Sequence, residues 1–206
     1  MGTGEARQNR SAAKRAAILA AAMARFRREG FTRAAMEDVA RDAQVSTATL
    51  YRHFASKAAL FEAVCAQSVE TLEAGLPPSG GPPLEHLEVL AVSYAGLLND
   101  PETRGAVRML IAETGAGGEL SARFHAAVKM RLAHHFVGTV QRAFDMGALA
   151  GDEPANRVAG QLMGMIEHAT LMPGLIMGDD APGQDSPETV AHSALKTWYA
   201  RWANHA

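Results

Sequence analysis

Seven residues within one short stretch, Thr47, Ala48, Thr49, Tyr51, Arg52, His53 and Lys57, gather two hydroxyls, a phenol, an imidazole and two permanent cations. Short hydroxyls and an imidazole reach base edges or phosphate oxygens. A guanidinium and an ammonium neutralise phosphates, and a phenol bonds a phosphate or packs on a sugar. This is chemistry for holding a nucleic acid. Elsewhere the chain offers no nucleophile elbow, no phosphate loop and no carboxylate pair on one helical face, so an enzyme is not expected.

The elements that must position these residues are legible around them. Met36 to about Ala43 reads as a short helix with Val39, Ala40 and Ala43 on one inward face. Gln44 and Val45 fill a turn, with Val45 plugging the angle. Ser46 is a good N-cap for a second helix, because its hydroxyl accepts a free backbone N–H. Leu50 and Phe54, four apart, then face inward and leave the polar set facing out. Two short helices at a tight turn form a helix-turn-helix, whose second helix enters a major groove. The same pattern also suits an ordinary antiparallel helix pair with a solvated polar face.

A longer register separates these readings. The chain carries Ile18-Leu19, Ala21-Ala22, Phe26, Gly30, Met36-Glu37-Asp38-Val39-Ala40, Val45-Ser46, Thr49-Leu50-Tyr51, His53-Phe54, Lys57 and Leu60-Phe61 in order. Residues 15–64 thereby resemble the DNA-binding domain of the tetracycline-repressor (TetR) family of transcriptional regulators. Two departures stand out. Gln44 sits where the family usually has Gly, and a left-handed Gln costs roughly 1 kcal/mol. Ala34-Ala35 replace the usual Ser or Thr, which removes an N-cap. The resemblance implies an all-α protein. A helix-turn-helix domain with its N-terminal arm would occupy residues 1–57, and a larger helical domain for effector binding and dimerisation residues 58–206.

Charge agrees independently. Residues 1–57 hold 11 Lys and Arg against 5 Asp and Glu, and residues 58–206 hold 9 against 17, so a head of +6 joins a body of −8. A basic head is the footprint of a polyanion-binding domain. Arg7, Arg10, Lys14 and Arg15 read either as a flexible arm adding phosphate contacts or as a solvated tail. Hydrophobic residues make up 48% of the chain, ample for a core. Abundant Ala and the lack of β-branched runs predict helices throughout. The single Cys65 excludes an internal disulfide and reads as a buried, inert thiol. With no secretion signal and no apolar run able to span a bilayer, a cytoplasmic protein with no membrane partner is expected.

The remaining pattern predicts helices over about 11–29, 57–74, 84–98, 101–113, 119–146, 154–171 and 187–203. Breaks fall at 75–83, 115–118 and 178–186, where Gly and Pro cluster. Seven of the ten Met lie at or after residue 109, and soft thioethers suit a pocket for apolar ligands of varied shape. Met109, Met130, Met163 and Met172, with His134 and His168 as polar handles, are the candidate ligand residues; the same pattern also suits plain core packing. Spacing of the His residues fits no zinc motif, and neither a metal nor a cofactor is expected. Gly160 and Gly164 would admit a close helix, and Val190, Ala194, Trp198 and Trp202 form one stripe. These either pack within one subunit or, as the resemblance implies, form a four-helix bundle with a second copy. A homodimer would read a palindromic operator in double-stranded DNA, with half-sites about 34–36 Å apart. The expected function is a dimeric repressor released by a small, largely apolar effector. A dimeric DNA-binding protein without an effector is the alternative.

Overall fold

The computed structural model describes residues 3–76, 81–113, 119–178 and 185–204. Ten α-helices and no strand occur among them: α1 Thr3–Arg33, α2 Met36–Asp42, α3 Thr47–His53, α4 Lys57–Gly75, α5 Pro83–Asn99, α6 Pro101–Glu113, α7 Glu119–Phe124, α8 Met130–Asp145, α9 Ala155–Met177 and α10 Pro187–Trp202. A π-helical turn, His125–Lys129, joins α7 to α8, so the single helix expected over 119–146 carries a π-bulge. Of the predicted breaks, residues 77–80, 115–118 and 179–184 lie outside the described residues. The chain divides into two compact units, residues 1–67 with 105–127, and residues 68–104 with 128–206.

In the first unit, Ile18, Leu19, Ala22 and Phe26 of α1 are buried at helical spacing with Val39 and Ala40 of α2, Leu50 of α3, and Leu60, Phe61 and Val64 of α4. Phe26, Phe31 and Phe61 meet pairwise at 5.7 Å between ring centroids, a separation at which aromatic edges and faces attract. Gly30, at φ 78°, kinks the end of α1 and lets the chain turn toward α2. Helix α1 starts well before the predicted residue 11. Cys65 is buried here, and burial pushes its thiol up to about 12, as an inert thiol requires.

In the second unit, α5 packs against α8, α9 and α10. It contributes Leu87, Leu90, Ala91, Tyr94 and Ala95, against Leu132, Phe136 and Val140 of α8 and Val158, Leu162 and Ile166 of α9. Ser186 caps α10 by accepting the Thr189 N–H at 3.2 Å. Helix α9 does not end near Leu171. It runs through Pro173 to Met177 and stops at Gly178, whose φ is 92°. A proline inside a helix ordinarily costs about 3 kcal/mol. Here the last turn is packed tightly at Gly174, where a Cβ would come within 2.5 Å of the Arg104 side chain.

Candidate nucleic-acid interface

The α2–α3 corner is built by local rules. Helix α2 closes with Val45 N–H donating to Ala40 O at 2.9 Å and Gln44 N–H to Arg41 O at 3.1 Å. That pair of bonds is a Schellman motif, which needs a left-handed residue at its apex. Gln44 occupies the apex at φ 55°, as the sequence predicts. Ala35, preceding α2, makes no side-chain cap, the consequence expected of Ala34-Ala35. Ser46 caps α3. Its hydroxyl oxygen accepts the Thr49 N–H at 3.2 Å and lies 2.9 Å from the Thr49 hydroxyl.

One ion-pair cluster locks α2 onto α1. The Arg25 guanidinium, 11% exposed, lies 2.6 Å from Asp42, 2.7 Å from Glu29 and 3.4 Å from Asp38. Arg28 also pairs with Glu29 at 2.9 Å, and Arg41 with Asp38. The hydrogen bond from Arg25 holds the Asp42 carboxyl below its ordinary range, against a smaller opposing effect of burial. Arg28 does the same for Glu29. The sequence pattern alone leaves Arg25 unmarked; its one signal is a position beside the Phe26 face with acids at 29, 38 and 42.

With α3 fixed, Leu50 is buried on its inner side. Ala48, Tyr51 and Arg52 are exposed together at i, i+3 and i+4, Tyr51 at 45%, while Thr47, Thr49 and His53 are half-buried. These six thus lie on or beside one solvent-facing side of a two-turn helix. Lys57 does not join them. Its Nζ donates to Thr32 O at 2.9 Å and Ala34 O at 3.1 Å, and sits 4.7 Å from the Phe31 ring centroid. A cation at the first position of a helix opposes the helix dipole. Its placement follows from the carbonyls it caps at the α1–α2 junction.

The candidate ligand residues with described side chains differ in exposure. Met163 is buried, but Met130 is 59% exposed, Met172 is 41% exposed, and His134 and His168 are exposed as well. The side chain of Met109 lies outside the described residues. Sequence spacing puts all of them on helices but does not fix which side each helix turns inward. Other polar groups are buried in the second unit. The Tyr94 hydroxyl bonds Glu167, which lies 2.9 Å from Lys129. His86 is 5% exposed, and its Nδ1 and the Nε of Arg142 have no hydrogen-bond partner. Burial, with the charges of Arg142 and His135, lowers the His86 pKa. His86 interrupts the apolar stripe of α5, which is the signal the sequence carries for it.

The stripe Val190, Ala194, Trp198 and Trp202 is used inside the chain. All four are buried, Trp198 Nε1 donates to Val158 O at 2.9 Å, and Trp202 Nε1 donates to Gln161 at 3.1 Å. Each of these side chains packs within the one chain. Gly160 and Gly164 are exposed on α9, and a Cβ at either position would meet nothing within 4 Å. No helix among the described residues is long and apolar enough to cross a membrane.

Comparison with known proteins agrees with this architecture. The family "Bacterial regulatory proteins, tetR family" matches residues 18–64, and "AefR-like transcriptional repressor, C-terminal domain" matches residues 85–204. No curated protein matches the chain. Among solved structures, a protein of Mesorhizobium loti described as a TetR-family transcriptional regulator is 24% identical, covers 95% of this chain and 99% of its own, and superposes with a TM-score of 0.77. The flavonoid-responsive regulator FrrA is 24% identical over 94% of this chain and 98% of its own, with a TM-score of 0.71. SmeT in complex with triclosan is 20% identical over 94% of this chain and 93% of its own, with a TM-score of 0.71. Both halves of the sequence, the capped α2–α3 corner and the all-helical body lead to one assignment: the chain belongs to the TetR family of DNA-binding transcriptional regulators, which are not enzymes.

Proposed function

We propose that this regulator is a cytoplasmic, dimeric repressor that binds a palindromic operator and is released by a small, largely apolar effector. The observation that carries the DNA-binding half is the exposed face of α3, where Ala48, Tyr51 and Arg52 stand together on a helix capped by Ser46. Thr47, Thr49 and His53 flank that face. Lys57 contributes by holding the corner on which α3 is mounted. The division at 57/58, with reading head before and effector and dimer domain after, belongs to the same proposal.

Two-fold pairing suits this head, because two turns of helix make few base contacts and a second copy doubles them. For the dimer surface, Gly160 and Gly164 remain the best-placed residues, with His168 and Met172 exposed farther along α9. The effector reading draws on two relatives: FrrA is named as flavonoid-responsive, and SmeT was solved with triclosan. In this chain the buried groups left without partners, His86 Nδ1 and Arg142 Nε, give a bound molecule polar anchors inside an apolar core. Buried polar atoms without partners call for such an explanation. Met163 is the one Met of the candidate set with a side chain described as buried. Release requires the effector to prefer a DNA-incompetent conformation, typically by about 1–3 kcal/mol.

The test is selection of bound duplexes from a random pool, followed by titration of the selected site. Tyr51→Ala should weaken binding at fixed salt by a kcal/mol or more, about fivefold or greater, with unchanged helix content. If the wild-type protein shows no preference for any duplex over random competitor at low ionic strength, the proposal fails.

A further inference from the structure

Helix α1 begins four turns before it has a core to pack on. Every residue from Glu5 to Ala17 is exposed, and Ile18 is the first buried side chain. A helix with no apolar face is marginal by itself, so what this extension presents is its outer surface. On that surface Arg7, Arg10, Ser11 and Lys14 fall at i, i+3, i+4 and i+7, one side of a helix. Together with Arg52 and His53 at the end of α3, they line a cavity of about 370 Å³.

Among the described residues, no carboxylate lines the cavity. Among the described residues, Arg7, Arg10, Lys14 and Arg52 make no ion pair, whereas Arg25, Arg28 and Arg41 in the same unit are each matched to Asp or Glu. The His53 Nε2 is shut off from solvent and has no partner. Four permanent positive charges around one hollow repel one another, and an anion placed among them removes that repulsion. Guanidinium forks and an ammonium with a serine hydroxyl beside them match the oxygens of a phosphate.

We propose that this cavity is a phosphate clamp, in which the N-terminal extension of α1 and the end of α3 grip the DNA backbone beside the bases that α3 reads. The source of the phosphate is DNA rather than a free oxyanion, because Arg52 belongs both to the cavity and to the exposed face of α3 shared with Ala48 and Tyr51. The clamp rests on the DNA-binding reading above. It adds a sequence-independent grip at the helix that would otherwise be a solvated tail.

The test uses the full-length protein and a fluorescent duplex carrying its selected site, titrated between about 50 and 200 mM salt. The variant is R7Q/R10Q/K14Q, which removes charge while keeping good helix formers; circular dichroism checks that the helix persists. The expected result is a shallower plot of log affinity against log salt, by about 0.9 for each phosphate no longer neutralised. Selected and random duplexes should weaken by the same factor, at least tenfold at the lowest salt, so their ratio stays constant. A variant that keeps the wild-type slope while the wild type still reads its site overturns the clamp and leaves the regulator reading standing. A variant with unchanged slope whose parent alone gains thermal stability from inorganic phosphate, compared with chloride at equal ionic strength, shows a free-oxyanion site and also overturns the DNA assignment. A wild type that reads no duplex at all overturns both.

Discussion

Lys57 distinguishes a residue that touches DNA from one that positions what does. Lys57→Met keeps the apolar stem and removes the ammonium, so packing is nearly unchanged. What disappears includes two hydrogen bonds, to Thr32 O at 2.9 Å and Ala34 O at 3.1 Å, and a cation 4.7 Å from the Phe31 ring centroid. A hydrogen bond from a charged donor contributes about 1.5–3 kcal/mol, and a partly exposed cation–π contact about 0.5–1 kcal/mol. Thr32 is exposed and water can replace its bond, whereas Ala34 is 2% exposed. With the Ala34 bond and the ring contact taken together, the destabilisation is about 2–4 kcal/mol. Both tryptophans, Trp198 and Trp202, lie in the second unit. Tryptophan fluorescence therefore follows that unit, while far-ultraviolet circular dichroism also follows the helices of the first. Urea titration should show the dichroism midpoint falling with the fluorescence midpoint unmoved. DNA affinity measured well below the transition should keep its wild-type salt slope. If both midpoints are unchanged and the salt slope drops by about 0.9, Lys57 is a phosphate contact and the positioning argument is wrong.

Two further outcomes follow from the same unit. Gln44→Gly relieves a left-handed residue that costs roughly 1 kcal/mol and gives back about 0.5–1 kcal/mol through the looser unfolded chain; a net gain of up to about 0.5 kcal/mol should raise Tm by a few degrees at most, and a fall in Tm would mean that the Gln44 side chain contributes something the turn geometry does not reveal. Asp42 is held below the usual carboxylate range by its hydrogen bond from Arg25, so its stabilising effect is full above the unfolded-state value near ~4 and is lost as pH falls through the lower folded-state value. Asp42→Asn should therefore be the less stable protein at neutral pH and should close the gap to wild type in acid titration below about pH 4; a gap that stays constant down to the acid transition would count against the ion pair.

Local chemistry is what a single sequence displays well. Ser46 as a cap, Leu50 and Phe54 as inward residues, and Gln44 at a left-handed apex each depend on neighbours within five positions, and all are found as expected. Long-range choices are hidden. A stripe such as Val190, Ala194, Trp198 and Trp202 announces that one side of α10 is buried, but the same periodicity serves a core and a subunit interface alike. The carbonyl of Val158, which Trp198 meets, is forty residues away. Met130 and Met172 make the converse point. Their helices are legible, yet helix phase is set by the neighbours, and both turn outward. The passage of α9 through Pro173 is unreadable for a related reason, since the residue that packs over its last turn, Arg104, comes from a distant segment.

The separation of cations in the first unit bears on how such a head should be recognised. Net charge alone is a weak guide, because the chain as a whole is −2 and the head mixes both signs. Arg25, Arg28 and Arg41 look in sequence like further parts of a basic surface. In the fold they neutralise Glu29, Asp38 and Asp42 and fix α2 on α1, so their fields largely cancel. Lys57 is committed to backbone carbonyls. Arg7, Arg10, Lys14 and Arg52 carry no such obligation, and they converge on one cavity. A polyanion is drawn by unbalanced charge. The electrostatic footprint of this head is therefore smaller than its eleven Lys and Arg within residues 1–57 suggest, and four of its cations gather where α1 begins and α3 ends. Removing a matched arginine should unsettle the fold, and removing an unmatched one should weaken DNA binding with the fold intact.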